Sequence, residues 1–259
     1  MQNEPNERTC MLKKKIYLSI VTLFFFCFPA AAGQFSVSPI TMELGPQAKS
    51  GVFKVINTGK DKINFQIYVS EWTQEDGGKD VYSETKDIIY FPKMLAVEAG
   101  EQRVIRVGLK MPPVVREKTY RIFIEEIPLM HQKKSEGSRI NFAIRFAPPI
   151  FVKPAVIKTE GVMDDVSLRE GEIRAVVKNK GNVHFIVKSF LFRGKSAEGN
   201  ELFSKEVIGG YILNNVSRAF GASISDKECE KLSSVEIEAK TETFAIYGKL
   251  DVQKGMCPQ

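Results

Sequence analysis

The sequence predicts an all-β fold of two β-sandwiches, and three observations carry that reading. Apolar residues recur with a period of two: Ile63, Phe65, Ile67 and Val69 alternate with Asn64, Gln66 and Tyr68, and Tyr120, Ile122 and Ile124 alternate with Arg121 and Glu125. An extended chain turns successive side chains to opposite faces, so this is the pattern of a strand with one buried face. Turn-forming residues punctuate the runs at Asn57-Thr58-Gly59, Asp76-Gly77-Gly78, Ala99-Gly100, Pro112-Pro113 and Glu136-Gly137, the spacing of a many-stranded sandwich. Val55-Ile56-Asn57-Thr58-Gly59 is echoed by Val177-Lys178-Asn179-Lys180-Gly181, which implies two units that each turn an early hairpin in the same way.

The start of the chain is different in kind. Lys13, Lys14 and Lys15 precede the apolar run IYLSIVTLFFFCF, and Ala30, Ala31 and Ala32 follow it, the order of a secretory signal peptide cleaved at Ala32 or one residue later. The run falls short of the ~20 residues of a membrane span. Phe24, Phe25 and Phe26 stand before Cys27, where a lipoprotein signal would place small residues. Residues 1–32 are therefore read as a leader and the rest as an exported protein. With 259 residues, 43% hydrophobic and 26% charged, the chain has enough material for two domains of ordinary size. They are expected at residues 33–154 and 155–259, with the boundary near Pro154.

Composition and motifs exclude several functions. Loss of residues 1–32 removes Arg8, Lys13, Lys14 and Lys15 against Glu4 and Glu7, so the formal charge falls from +6 to +4. No stripe of Lys and Arg interleaved with aromatics is present, which argues against nucleic acid; KTYR and HQKK read as solvated loop charge. Cys229 and Cys257 remain after the leader, and an even pair in an exported protein is most simply one disulfide. Metal is the weaker reading, because neither His131 nor His184 sits at ligand spacing from a cysteine. There is no G-x-S-x-G, H-E-x-x-H, P-loop or G-x-G-x-x-G signature. Glu125 and Glu126 are adjacent on a strand and point to opposite faces, so they cannot flank one bond. The expectation is a binding protein, not an enzyme, with no cofactor, no metal and no small-molecule substrate.

One stretch calls for a binding role. RINFAIRFAPPIFVKP runs from Arg139 to Pro154 and sets Ile140, Phe142, Ile144 and Phe146 on one side, with Asn141, Ala143 and Arg145 on the other. Four large apolar residues in a row, just before a domain boundary, either fill the domain's own core or enter a partner's. A period of two does not distinguish these.

Three runs in order then carry a resemblance: FPKMLAVEAGEQRVIRVGL (Phe91 to Leu109), REKTYRIFIEEIP (Arg116 to Pro128) and INFAIRFAPPIFVKPA (Ile140 to Ala155). Together they resemble the periplasmic pilus and fimbrial assembly chaperones of the chaperone–usher pathway. The family's glycine, glutamine and arginine fall on Gly100, Gln102 and Arg106, and its E-I-P on Glu126, Ile127 and Pro128. The resemblance spans most of the first domain. It implies two immunoglobulin-like sandwiches set at an angle, a periplasmic location, and pilus subunits as partners, bound on the first domain and delivered to an outer-membrane usher. It also implies a mechanism, in which the chaperone lends an edge strand to a subunit that lacks one. Ile140, Phe142, Ile144 and Phe146 are the expected donated face.

The resemblance assigns further residues. The glutamate of E-I-P and the basic residue before the closing proline join an interdomain ionic cluster in the family, which here makes Glu126 and Lys153 an expected pair. Many relatives hold the subunit's terminal carboxylate with an arginine on the first strand and a lysine late in the donor strand. Those positions are Met42 and Pro149 here, and neither can bind a carboxylate. Either the anchor has moved, with Arg145 and Lys153 the nearest cations in sequence, or the apolar face suffices alone, which is the expectation. The alternative function is a secreted two-domain immunoglobulin-like adhesion or ligand-binding protein, which would share the leader, fold and disulfide.

Overall fold

The structure is a computed structural model and describes residues 35–128, 143–253 and 255–257. Phe35–Gln259 makes one compact unit, and its described residues are all-β apart from one short helix: two immunoglobulin-like sandwiches in sequence. The leader and HQKK lie outside the described residues, as do Ile140 and Phe142.

The first sandwich is built from β1 (Phe35–Ser38), β2 (Met42–Leu44), β3 (Ser50–Asn57), β4 (Ile63–Gln74), β5 (Asp80–Glu84), β6 (Ile88–Phe91), β7 (Met94–Val97), β8 (Gln102–Leu109), β9 (Lys118–Ile127), β10 (Arg145–Phe146) and β11 (Pro149–Val152). One sheet has the order β1-β3-β8-β6. The other runs β2-β11-β9-β4-β5, with β10 also on β9 and β7 also on β4. The period-two residues go where alternation sends them: Phe65, Ile67, Tyr120, Ile122 and Ile124 are buried between the sheets with Phe53, Val97 and Ile105. The first segment of the chain is shared. β1 pairs with β3 in one sheet, while β2 crosses over and lies parallel to β11 in the other, Met42 opposite Ile150 and Leu44 opposite Val152.

The second sandwich follows with β12 (Gly161–Arg169), β13 (Glu172–Asn179), β14 (Phe185–Lys195), β15 (Glu201–Ile212), β16 (Ser217–Ser223), α1 (Asp226–Glu230), β17 (Ser234–Thr241) and β18 (Ala245–Asp251). Its sheets run β12-β13-β16 and β15-β14-β17-β18 over a core that includes Phe190, Phe192, Ile173 and Val235. Ser225 caps α1 in a capping box with Glu228. Cys229 on α1 is bonded to Cys257, with Cα atoms 5.7 Å apart, tying the helix to the end of the chain.

The sequence echo has a physical cause. Asn57 is fully buried at the end of β3; its Nδ2 donates to Asp61 O (2.8 Å) and Val97 O (3.0 Å), and its Oδ1 accepts from Gly59 N (2.8 Å). Asn179 repeats this at the end of β13, with Nδ2 donating to Val183 O (2.8 Å) and Ile212 O (3.1 Å) and Oδ1 accepting from Gly181 N (2.8 Å). The expected hairpin is instead a crossover, because β3 and β4, like β13 and β14, lie in different sheets; in each sandwich one amide closes this turn and stitches it to a distant strand. A Cβ on Gly181 would stand 2.3 Å from Lys158 O, so the small residue is required there. Each Asn→Ala change strands several buried polar groups at about 1–3 kcal/mol apiece. Asn57→Ala and Asn179→Ala should therefore each lower stability by about 2–4 kcal/mol in urea unfolding, and losses below about 0.5 kcal/mol would contradict the assignment.

Candidate functional site

The site lies at the edge formed by β10 and β11. Their register against β9 is continuous: Arg145 lies opposite Glu125, Phe146 opposite Ile124, Pro149 opposite Arg121 and Ile150 opposite Tyr120. β10 and β11 are thus one strand, interrupted at Pro148, which faces β9 and has no N–H to donate to it. Ile144 O accepts from Glu126 N (3.0 Å) and Pro148 O from Ile122 N (3.2 Å). Peptide groups alternate in direction along an extended strand, so those of Ala143, Arg145 and Ala147 point away from β9. β2 covers that outer side from Ile150 onward. Along Ala143–Ala147 no strand among the described residues does so.

Side chains follow the same division. Ile150, Phe151 and Val152 are at most 2% exposed, whereas Ile144 is 41% exposed. Phe146 is half-buried, and neither it nor Ile144 belongs to the core of the first sandwich. Ile144 and Phe146 are on the face expected for donation. Arg145 points to the opposite, outer face, its guanidinium 5.5 Å from the Phe123 ring centre. Phe123 also stacks on Tyr68 (4.8 Å) and meets Tyr82 edge-on (5.4 Å).

The other residues singled out from sequence are placed as follows. Met42 and Pro149 are buried. Lys153 Nζ pairs with Glu43 Oε1 at 2.5 Å, because β2 runs alongside β11 and brings Glu43 to it. Glu126 sits opposite Ile144, at the far end of the ladder from Lys153. Nine residues of strand, about 30 Å at ~3.4 Å per residue, separate the two, so the expected Glu126–Lys153 pair is not formed.

The link between the sandwiches is made elsewhere. Glu117, with a fully buried carboxylate, accepts at Oε1 from His184 N (3.0 Å) and sits 2.7 Å from His184 Nδ1. Glu117 N donates to Asn182 O (2.8 Å), and Asn214 Nδ2 donates to Glu117 O (2.8 Å). Gln74 donates to Tyr211 O (3.3 Å) and accepts from Leu213 N (3.0 Å). Trp72 and Phe151, on strands of the first sandwich, pack into the core of the second, with Phe151 stacked on His184 (3.7 Å) and Trp72 edge-on to Tyr211 (5.3 Å).

KTYR, expected to be solvated loop charge, is instead the start of β9. Lys118 bridges Glu71 (3.2 Å) and Asp87 (2.6 Å), and the hydrogen bonds from Lys118 and from Tyr120 hold the Asp87 carboxyl below its usual range. Arg121 lies over the Trp72 ring at 4.0 Å and donates from Nη1 to Ala147 O (2.7 Å). Sequence reasoning missed Glu117, His184, Trp72 and Arg121. Their only signal was the R-E-K-T-Y-R run and a single tryptophan on a strand.

Fold and site together define a two-sandwich protein in which the strand made by β10 and β11 is covered by β2 along β11 and, among the described residues, by no strand along β10. Residues 34–158 match the family model for pili and flagellar-assembly chaperones, PapD N-terminal domain. The first sandwich is thus that family's N-terminal domain. Solved structures share the fold. A chain from the CsuC–CsuE chaperone–tip adhesion subunit pre-assembly complex of the archaic chaperone-usher Csu pili of Acinetobacter baumannii is 22% identical with a TM-score of 0.60, covering 83% of this chain and 98% of that one. A chain from the Salmonella enterica SafA pilin–SafB chaperone complex is 12% identical at 0.54, covering 85% and 98%. The Pseudomonas aeruginosa CupB2 chaperone is 16% identical at 0.50, covering 84% and 100%. No curated protein matches the sequence.

The junction gives a test of how the sandwiches are held. Glu117→Ala leaves the His184 N–H and ring nitrogen without their buried acceptor, a loss of about 3 kcal/mol for two bonds to a charged group. Thermal and urea unfolding should show that loss, with faster proteolysis between Lys153 and Glu160. Unchanged stability and unchanged cleavage would show that Glu117 does not hold the junction.

Proposed function

We propose that this chaperone stabilises secreted pilus or fimbrial subunits by lending them the β10 edge, in the periplasm, before they pass to an outer-membrane usher. The observation that carries the reading is the contrast along one strand. Up to Ala147 no strand among the described residues covers the outward side, where Ala147 O meets the Arg121 side chain and Ile144 is open to solvent, whereas from Ile150 on β2 satisfies the edge and Ile150, Phe151 and Val152 are buried.

A subunit lacking its last strand has an open core groove and unpaired edges, which aggregate. A lent strand supplies backbone hydrogen bonds to the edge, and alternate side chains fill the groove. The face made by Ile140, Phe142, Ile144 and Phe146 has the size for this: each large apolar side chain is worth about 1.5–3 kcal/mol when fully buried, before ordering costs. The chaperones of the Csu and Saf complexes stand with a tip adhesion subunit and a pilin in those structures, which supports subunits of that kind as the partner here.

Ile144→Asp tests the proposal, because it would bury an unpaired carboxylate in an apolar groove while leaving the free chaperone unharmed. On coexpression with a subunit encoded beside it, soluble complex should fall at least about tenfold, the effect of ~1.4 kcal/mol. The variant's own melting temperature should stay put, as should complex yield for the control Ile208→Asp, at a site 88% exposed on β15. Undiminished complex with Ile144→Asp would remove β10 as the lent edge.

A further inference from the structure

We propose that Arg145 selects the strand that pairs along β10, by favouring an acidic side chain at the position beside it. The inference rests on the edge-lending reading and deepens it, because it names the chemistry of the segment that binds: an acidic residue in the interior of a strand, with apolar residues before and after it.

Arg145 stands in the middle of the uncovered stretch. No strand among the described residues lies on the outward side of Ala143–Ala147, and Arg145 is the central residue of that stretch. Neighbours across a ladder turn their side chains to the same face. A strand added here therefore sets one side chain beside Arg145 on the outer face. The residues on either side of it fall beside Ile144 and Phe146 on the other face.

The guanidinium has a fixed seat. It lies 5.5 Å from the Phe123 ring centre, and Phe123 is itself only 6% exposed, stacked on Tyr68 at 4.8 Å and met edge-on by Tyr82 at 5.4 Å. A cation beside an aromatic ring is attracted by the ring's quadrupole, so the side chain is partly ordered before a partner arrives and loses less freedom on binding. Its charge also stays available. Glu125 lies opposite Arg145 across the ladder, but Glu125 Oε2 accepts from the Tyr68 hydroxyl at 3.0 Å. The ion pairs among the described residues run through other cations, such as Lys118 and Lys153, and none includes Arg145. Tyr68 foremost, and Glu125 after it, push the Arg145 guanidinium further above its ordinary range, so the charge is permanent.

The field on this face is positive beyond Arg145 itself. Tyr82, whose phenol is pushed up by burial and then by Asp80, is pulled back by both Arg121 and Arg145. Opposite charges paired across strands stabilise a sheet, and like charges directly opposite destabilise it. An acidic side chain is therefore favoured beside Arg145, and a lysine or arginine is turned away. The two faces of β10 thus make different demands: Ile144 and Phe146 call for apolar neighbours, and Arg145 for a side-chain carboxylate. A strand offered one residue out of step would turn that carboxylate to the apolar face.

The test takes a secreted subunit that copurifies with the protein and covers it with overlapping synthetic peptides of about ten residues, one long strand each. In the peptide that binds the full chain most tightly, each residue in turn is replaced by Glu, Gln and Lys, and calorimetric titration at low, fixed salt reads each affinity. The termini are the same throughout the series, so their charges cancel in every ratio. At one interior position Glu should bind about two- to fivefold more tightly than Gln, and Lys more weakly than Gln by a similar factor. Arg145→Gln should bind the three alike at that position and leave the rest of the scan unchanged. Arg145→Glu should invert the order there, an outcome that partial unfolding does not produce. Ile144→Asp should weaken every peptide of the series. A scan in which no position distinguishes Glu from Lys, or in which the distinction survives Arg145→Gln, overturns the role of Arg145 and leaves the edge standing. Failure of every peptide to bind the wild type overturns the edge itself, and the selection with it.

Discussion

The structure turns on how its first segment is divided. β1 completes one sheet of the first sandwich, and β2 crosses to cover the edge of the other, but only along β11. Three residues of cover satisfy Ile150 to Val152 and leave the outward side of Ala143–Ala147 with no strand on it among the described residues. Proteins ordinarily blunt or hide such an edge, since it pairs with whatever strand it meets. Here the prolines at 148 and 149 and the start of β2 limit it sharply, so the edge is open for a defined length and closed beyond it.

A lent edge works only if it keeps its place when a partner pulls on it. β10 is continuous in register with β11, whose Phe151 is stacked on His184 of the second sandwich. β9, against which both lie, begins beside Glu117, whose buried carboxylate is held by the same histidine. The second sandwich therefore acts as ballast for the strand that is offered. Its own core, closed by Asn179 and by the Cys229–Cys257 bond, is the mass on which Trp72 and Phe151 are fixed.

Much of the scaffold was legible in the sequence because it depends on local rules. Period-two runs such as Ile63–Val69 gave strands, and the repeated V-x-N-x-G gave the pair of sandwiches, each with an asparagine doing the same hydrogen-bonding task. The site was legible only in part. Alternation from Ile140 to Phe146 identified an unusual strand but not its neighbours, which depend on where β2 leaves off. Charged pairs were least legible, because a partner is set by register across strands far apart in sequence. Lys153 meets Glu43 across 110 positions, and Glu117 finds His184 across 67. Arg121 looked like the polar face of an ordinary strand, yet from its place opposite Pro149 its side chain reaches back to Ala147 O.

The central claim is that the outward amides of β10 form the binding edge, and hydrogen–deuterium exchange reads those amides directly. In the free protein the Arg145 and Ala147 amides should exchange quickly, and those of Ile150 to Val152 slowly. Addition of a secreted subunit should slow Arg145 and Ala147 by at least about tenfold, with little change along β15 or β18, since an amide bonded in a ladder exchanges only when the ladder opens. Rapid exchange at Arg145 and Ala147 in a complex that is otherwise well formed would contradict the account and place the subunit on another surface.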